Sequence, residues 1–288
     1  MLRRIRSLAP DYPQPLAAKV PEITALFWVL KVLTTGMGEA MSDFLGSVSV
    51  PLAGAVGIFG MWFALRLQLR AREYRAPIYW FAVMMVAVFG TMAADGVHIA
   101  VDAPYAATTV LYAIVVAGVF LLWYRSEGTL SIHSITTQRR EHYYWAAVLA
   151  TFALGTAAGD LTAISLNLGF FDSALLFAAV ISVPALAWWR FRLNPIIAFW
   201  AAYIVTRPLG ASIADWLGKP ASRSGLGLGD GTVSAIALIV FAALVAYVAA
   251  TKRDIQSATE EHALSPHLSP YLEPLVDSPA LAPSPADG

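Results

Sequence analysis

Four aspartates occupy equivalent places in four long apolar stretches: Asp43, Asp95, Asp160 and Asp215. Each lies fifteen residues after a tryptophan (Trp28, Trp80, Trp145, Trp200) that itself follows an aromatic residue, and five residues after a glycine (Gly38, Gly90, Gly155, Gly210). The segments FWVLKVLTTGMGEAMSDFLG (27–46), YWFAVMMVAVFGTMAADGVH (79–98), YWAAVLATFALGTAAGDLTA (144–163) and FWAAYIVTRPLGASIADWLG (199–218) align without a gap. On a helix the residue four before each Asp shares its face, and the four such residues are Glu39, Thr91, Thr156 and Ala211. Eight before come Thr35, Ala87, Phe152 and Arg207; twelve before, Lys31, Val83, Val148 and Tyr203.

A charged side chain in a membrane helix costs at least about 2.5 to 3.5 kcal/mol, so these acids must face one another, a counter-ion or water. Converged, Asp43, Asp95, Asp160, Asp215 and Glu39 would form an all-oxygen ligand set suited to Mg²⁺, Ca²⁺ or Mn²⁺. The Thr91 and Thr156 hydroxyls would complete the shell. Arg207 and Lys31 are the candidate counter-ions, and protons shared among the carboxylates supply a coupling route. A structural reading stands beside this one. The aspartates could end helices where water reaches them, Glu39 could pair with Lys31 or Arg207 only to specify packing, and Lys31, one turn from Trp28, could snorkel to the headgroups. Gly38, Gly90, Gly155 and Gly210 read as close helix-packing positions.

The elements that must carry these residues follow from composition. Apolar residues make up 58% of the chain, charged residues 13%, and mean hydropathy is +0.63. A water-soluble surface needs roughly twice that charge, so the chain is read as an integral membrane protein. Its 19 basic residues balance its 19 acidic ones, which leaves no basic excess for nucleic acid. The absence of cysteine excludes thiolate chemistry, iron–sulfur clusters and Cys-ligated zinc. No histidine pair within a span has metal-ligand or haem spacing, and no Ser-His-Asp or phosphate-loop pattern occurs. The expectation is a non-enzyme with no cofactor apart from a transported metal.

Eight apolar runs of about 20 residues predict eight transmembrane helices, near 22–45, 51–69, 77–97, 105–124, 142–165, 173–190, 194–217 and 231–250. The predicted fold is all-α and polytopic: a transmembrane domain over 22–250 between an N-terminal segment (1–21) and a proline-rich tail (251–288), read as disordered. Two spans make one repeat, over about 22–72, 73–138, 139–192 and 193–250, so the four helical hairpins share one orientation, with the motif helices inside a ring or nested pair of pairs. Asp172 and Asp230 read as helix N-caps.

Positive loops remain cytoplasmic. Arg3, Arg4, Arg6, Lys19, Arg66, Arg70, Arg72, Arg75, Arg125, Arg139, Arg140, Arg190, Arg192, Lys252 and Arg253 fall on one side, and only Lys219 and Arg223 on the other. Both termini are therefore expected inside. Every tryptophan but Trp216 maps to the inner ends of spans, where interfacial anchors belong. Each aspartate then lies roughly 22 Å beyond that belt, in the outer third of a hydrocarbon core about 30 Å thick.

The blocks KVPEITALFWVLKVLTTGMGEAMSDFLG, YWAAVLATFALGTAAGDLTAISLNLGF and FWAAYIVTRPLGASIADWLGKP, with their GE-x3-D, GT-x3-D and TRPLGA-x3-D cores, resemble a bacterial family labelled only as uncharacterised membrane-anchored proteins. The similarity covers residues 19–250 and implies a bacterial inner-membrane location and a four-repeat fold. It implies no substrate. The first two outer turns (46–51 and 101–105) depart from the LG-x-G-Y-like turn of the family.

The functional expectation is a transporter or channel for a divalent cation, possessing a carboxylate ring and embedded in the lipid bilayer, whose pathway belongs to one copy or to a homodimer. The alternative is a membrane scaffold or accessory subunit whose polar ladder only sets helix register.

Overall fold

The computed structural model describes residues 18–255; the tail beyond and the first seventeen residues lie outside it. Eight α-helices are present among the described residues: α1 (Ala25–Val48), α2 (Val50–Arg70), α3 (Ala76–Val101), α4 (Tyr105–Glu127), α5 (Gln138–Asp160), α6 (Gly169–Phe191), α7 (Pro195–Gly218) and α8 (Asp230–Thr251). Local chemistry marks their starts. Thr24, Ser49, Thr137 and Asn194 each accept a hydrogen bond from a first-turn amide, and Pro51 and Pro195 occupy first-turn positions that need no N–H donor. Gly128, in the left-handed region at φ 70°, ends α4.

Seven helices, α2 to α8, are long and apolar enough to cross a membrane. The remaining one, α1, carries Lys31, Glu39 and Asp43 and packs against α3, α7 and α8, so its charges are sheltered by protein. In their most apolar windows α3, α5 and α7 bury 61%, 61% and 56% of residues, against 17% for α2 and α4 and 28% for α6 and α8. That contrast sorts the helices into two rings. The inner ring runs α1–α3–α5–α7 and closes α7 on α1.

The outer ring differs from a set of simple hairpins. Each returning helix packs chiefly on the motif helix of the next repeat: α2 on α3, α4 on α5, α6 on α7, and α8 on α1. Repeats that are contiguous in sequence are thus interlocked in space, and α8 on α1 closes the circle.

The motif glycines explain how the inner ring closes. A Cβ on Gly38 would stand 2.5 Å from Ala87 Cβ, and one on Gly90 2.8 Å from Phe152 Cβ. On Gly155 it would overlap the Arg207 side chain, and on Gly210 the Thr35 hydroxyl. Ala87, Phe152, Arg207 and Thr35 are the residues eight before Asp in the following repeat, so one contact recurs four times around the ring. Gly210→Ala is expected to destabilise the protein by about 1 to 3 kcal/mol through overpacking, because the added carbon would meet backbone, Gly36 N and Val32 O, at 2.8 Å. Gly46, with nothing within 4 Å of a Cβ, is the control: Gly46→Ala should match or exceed wild-type stability through helix propensity. Denaturant unfolding in micelles compares the two.

At one end of the ring the aromatic pairs meet. Phe27 lies 5.8 Å from Trp80 and 6.1 Å from Phe199, Tyr79 5.7 Å from Trp145, and Tyr144 6.2 Å from Trp200. The Tyr79 and Tyr144 hydroxyls share a hydrogen bond of 2.5 Å. This corrects the expectation of interfacial tryptophans: Trp80, Trp145 and Trp200 are buried because their common register places them on the inner faces of one ring, and Trp123 of α4 is buried against Tyr143 and Trp200. Trp62, Trp188 and Trp189 are the exposed ones. Beneath this layer, Lys19, counted above among the positive charges of the cytoplasmic side, is fully buried and ion-paired with Glu141, which also accepts from Gln68 Nε2 at 3.0 Å. The 18–24 segment is tied across by Glu22 N donating to Asp254 O at 2.8 Å, while the Tyr74 hydroxyl donates to the Asp254 carboxylate. At this end Tyr79, Trp80, Tyr144 and Tyr203 are each 1% exposed.

Candidate functional site

Above the aromatic layer the polar rungs stack inside the ring. Lys31, three turns below Asp43, does not reach the carboxylates. Its ammonium is held between the rings of Phe152 (4.0 Å to the centroid) and Tyr203 (3.9 Å), a cation–π arrangement that compensates burial. Among the described residues no carboxylate lies within ion-pair distance of it. The counter-ion role expected for Lys31 therefore has no geometric support, and neither does snorkelling, since Lys31 is 1% exposed in the core.

Arg207 stands one level higher and is also 1% exposed. Its Nη2 donates to Glu39 Oε2 at 2.5 Å, to Thr156 Oγ1 at 2.7 Å and to Thr91 Oγ1; Nη1 donates to Thr35 O at 3.4 Å. Three of the four residues one turn before the aspartates thus converge on one guanidinium. The fourth is Ala211, small enough to leave it room. Thr91 and Thr156, expected as cation ligands, instead turn their oxygens to Arg207, while their hydroxyls donate to Ala87 O (3.1 Å) and Phe152 O (3.2 Å). Neither lines the cavity above.

That cavity, about 800 Å³, opens at the end opposite the aromatic layer and is lined by all five acids: Glu39, Asp43, Asp95, Asp160 and Asp215, from α1, α3, α5 and α7. One carboxylate oxygen each of Glu39, Asp43 and Asp215 lie within 4.8 Å of one another. Asp95 and Asp160 face the cavity with no hydrogen bond or ion pair to a described residue. On one side the wall is an irregular turn. After Asp160, α5 widens into a π-helical turn, Leu161–Ser165, and the chain bends through Asn167 into Gly169 at φ 76°; Ala163, Ile164 and Asn167 line the cavity. Such turns rearrange backbone where a site needs it, and this one exists in the third repeat alone among the described residues.

Two partners were not legible beforehand. Lys219 Nζ donates to Asp43 Oδ2 at 2.5 Å and Asp230 Oδ2 at 3.0 Å, and sits 3.8 Å from Asp215 Oδ1. Burial by itself would lower the pKa of this ammonium, but Asp43 and Asp215, with the hydrogen bonds to Asp43 and Asp230, outweigh it and hold the pKa above the ordinary lysine value. The available signal was the i,i+4 spacing from Asp215. Asp230, read as an N-cap, is the first residue of α8, with Gly229 at the cap; Asp172 likewise lies in the first turn of α6 rather than at its cap. The GLGLGDG run (225–231) pairs back on α7's end through Leu226 N to Trp216 O (2.6 Å) and Gly227 N to Lys219 O (2.8 Å), which brings Asp230 to Lys219. His98 stacks on Tyr105 at 3.9 Å and is not part of the cavity wall.

The fold and site define a polytopic helical membrane protein built as four repeats around a central ring, with an acidic cavity sunk into an apolar bundle. A family model described as Repeat of Unknown Function (DUF347) matches four times, over residues 26–74, 78–129, 143–194 and 198–254, and the chain belongs to that family. No curated protein and no solved structure matches it.

Proposed function

We propose that this protein is a cation transporter or channel of the bacterial inner membrane, with a divalent metal of the Mg²⁺, Ca²⁺ or Mn²⁺ class as substrate and protons as the coupling species. The observation that carries this reading is the convergence of five carboxylates from four helices on one cavity, two of them, Asp95 and Asp160, lacking any protein counter-ion. Charges within an apolar bundle that lack a protein counter-ion are costly, and a hard cation is the ligand that would repay them. Basic residues such as Arg70, Arg75, Arg139 and Arg140 flank the helix ends on the aromatic side. By the positive-inside rule that side is cytoplasmic, and the cavity faces outward. In this arrangement the Arg207 cluster and the aromatic layer close the route inward, so passage requires the ring to rearrange. Arg207 acts as the internal counter-ion, competing for Glu39 when no cation is present.

The scaffold reading is favoured by a different observation: Glu39 is ion-paired with Arg207 at 2.5 Å, so this part of the ladder is satisfied by protein alone. Titration of purified protein in detergent with Mn²⁺, Mg²⁺, Ca²⁺ and Zn²⁺, following bound metal and released protons, separates the two. Saturable binding with proton release, lost in the variant with Asn at 43, 95, 160 and 215, is expected. A well-folded wild type that binds none of these ions would sink the transport reading and leave the scaffold.

A further inference from the structure

Lys219 already holds two of the acids that an incoming cation would bind. Its ammonium is hydrogen-bonded to Asp43 and Asp230 and 3.8 Å from Asp215, three acids contributed by α1, α7 and α8. Asp43 and Asp215 are also two of the three residues, with Glu39, whose oxygens come within 4.8 Å of one another. Oxygens that ligate one Mg²⁺, Mn²⁺ or Ca²⁺ at 2.0 to 2.6 Å can be at most about 5 Å apart, so this trio already has the spacing of a coordination sphere. A second sign points to a ligand. Asp215 is 6% exposed and faces the cavity, and its Oδ1 accepts no hydrogen bond, having only the 3.8 Å approach of Lys219.

We infer that Lys219 is a tethered internal cation that holds Asp43 and Asp215 in the empty protein and is displaced outward when the transported cation binds among Asp43, Asp215 and Glu39. The inference rests on the cation reading proposed above. The backbone at Lys219 is pinned: besides the bond from Gly227, Leu228 N donates to Leu217 O and Gly229 N to Gly218 O, both at 3.0 Å. Gly225 lets the turn lie on Lys219, since a Cβ there would stand 3.0 Å from its Cα. Only the side chain has to move, and a four-carbon stem carrying a compact ammonium rotates readily. Asp230, outside the trio, offers a carboxylate on which the displaced ammonium can remain. The ammonium also supplies a selectivity filter. A cation must outcompete a lysine already bound by carboxylates, which favours a divalent ion over a monovalent one at equal concentration.

Removing the competitor should tighten binding by the inverse of the fraction of time the site is vacant. With Mn²⁺ as probe, calorimetry of full-length protein in detergent is expected to give Lys219→Met an affinity about tenfold or more above wild type. A second measurement uses the wild type alone and holds if the variant is not recovered folded. Lysine acetylation followed by mass spectrometry should show Lys219 modified faster at saturating Mn²⁺ than without it, with exposed Lys252 as the internal standard. If wild type binds Mn²⁺ but Lys219→Met binds no tighter and Lys219 labelling does not rise, the displacement is wrong while the cation reading survives. If neither protein binds Mn²⁺, Mg²⁺ or Ca²⁺, both fall together.

Discussion

Asp95→Asn combined with Asp160→Asn is expected to weaken Mn²⁺ binding by about 100-fold or more while leaving the protein at least as stable as wild type. The binding loss follows from removing two negative charges from the cavity that holds Glu39, Asp43 and Asp215, where even outer-shell substitutions at metal sites cost 10- to 100-fold. The stability expectation is the more discriminating half. Neither carboxylate has a hydrogen bond or ion pair to a described residue, so no partner is stranded by the amide. Both share the cavity with Glu39, Asp43 and Asp215, and removing like charges from one cavity lowers their mutual repulsion. A scaffold whose acids fix helix register predicts the reverse, lower stability with no change in binding. Calorimetric titration and thermal unfolding on the same detergent preparations distinguish the two, and a drop in unfolding midpoint with Mn²⁺ affinity unchanged would refute the transport assignment.

The second large effect is expected at Arg207. Arg207→Met removes the donor that serves Glu39, Thr91 and Thr156 together and leaves the Glu39 carboxylate, 4% exposed, without its counter-ion. Breaking a buried pair in this one-sided way costs about 3 to 5 kcal/mol. Most of the loss should be recovered by Glu39→Gln in the Arg207→Met background, since a neutral amide carries a far smaller desolvation cost. A double-mutant cycle from unfolding in mixed micelles measures the coupling. Additive effects at the two positions would show that the pair holds nothing together and that Arg207 acts through its packing on Phe152 and Gly155.

These two predictions concern adjacent levels of one ladder, and the levels differ in how readable they were. The repeat, its four Asp and four Gly columns, and the helices themselves are local properties: period, hydropathy and capping act within a few turns, so helix bounds match the apolar runs to within a few residues in most cases. That the Asp residues share a cavity follows from register once the motif helices are inside a ring. The columns below were harder. Thr91 and Thr156 have the chemistry of ligands, but a guanidinium reaching up from α7 claims their oxygens, and nothing within α3 or α5 signals that. Lys31 likewise has a charge suited to the acids, yet the rings of Phe152 and Tyr203, from two other helices, hold it two turns below Glu39.

What the chain determined by itself was therefore the inventory and its spacing: eight helices, four repeats, aromatic residues at one end of each motif helix and an acid near the other. Tertiary structure decided the pairings. Lys219 meets Asp43 across 176 residues, and Arg207 meets Glu39 across 168. The returning helices lie on the next repeat rather than their own, and Trp80, Trp145 and Trp200 face inward rather than toward lipid. The physical reason is common to all of these. Spacing along a helix sets which residues share a face, but how each helix is rotated and which neighbour it meets depends on side-chain volumes at contacts such as Gly155 against Arg207, and those exist only once the ring has closed.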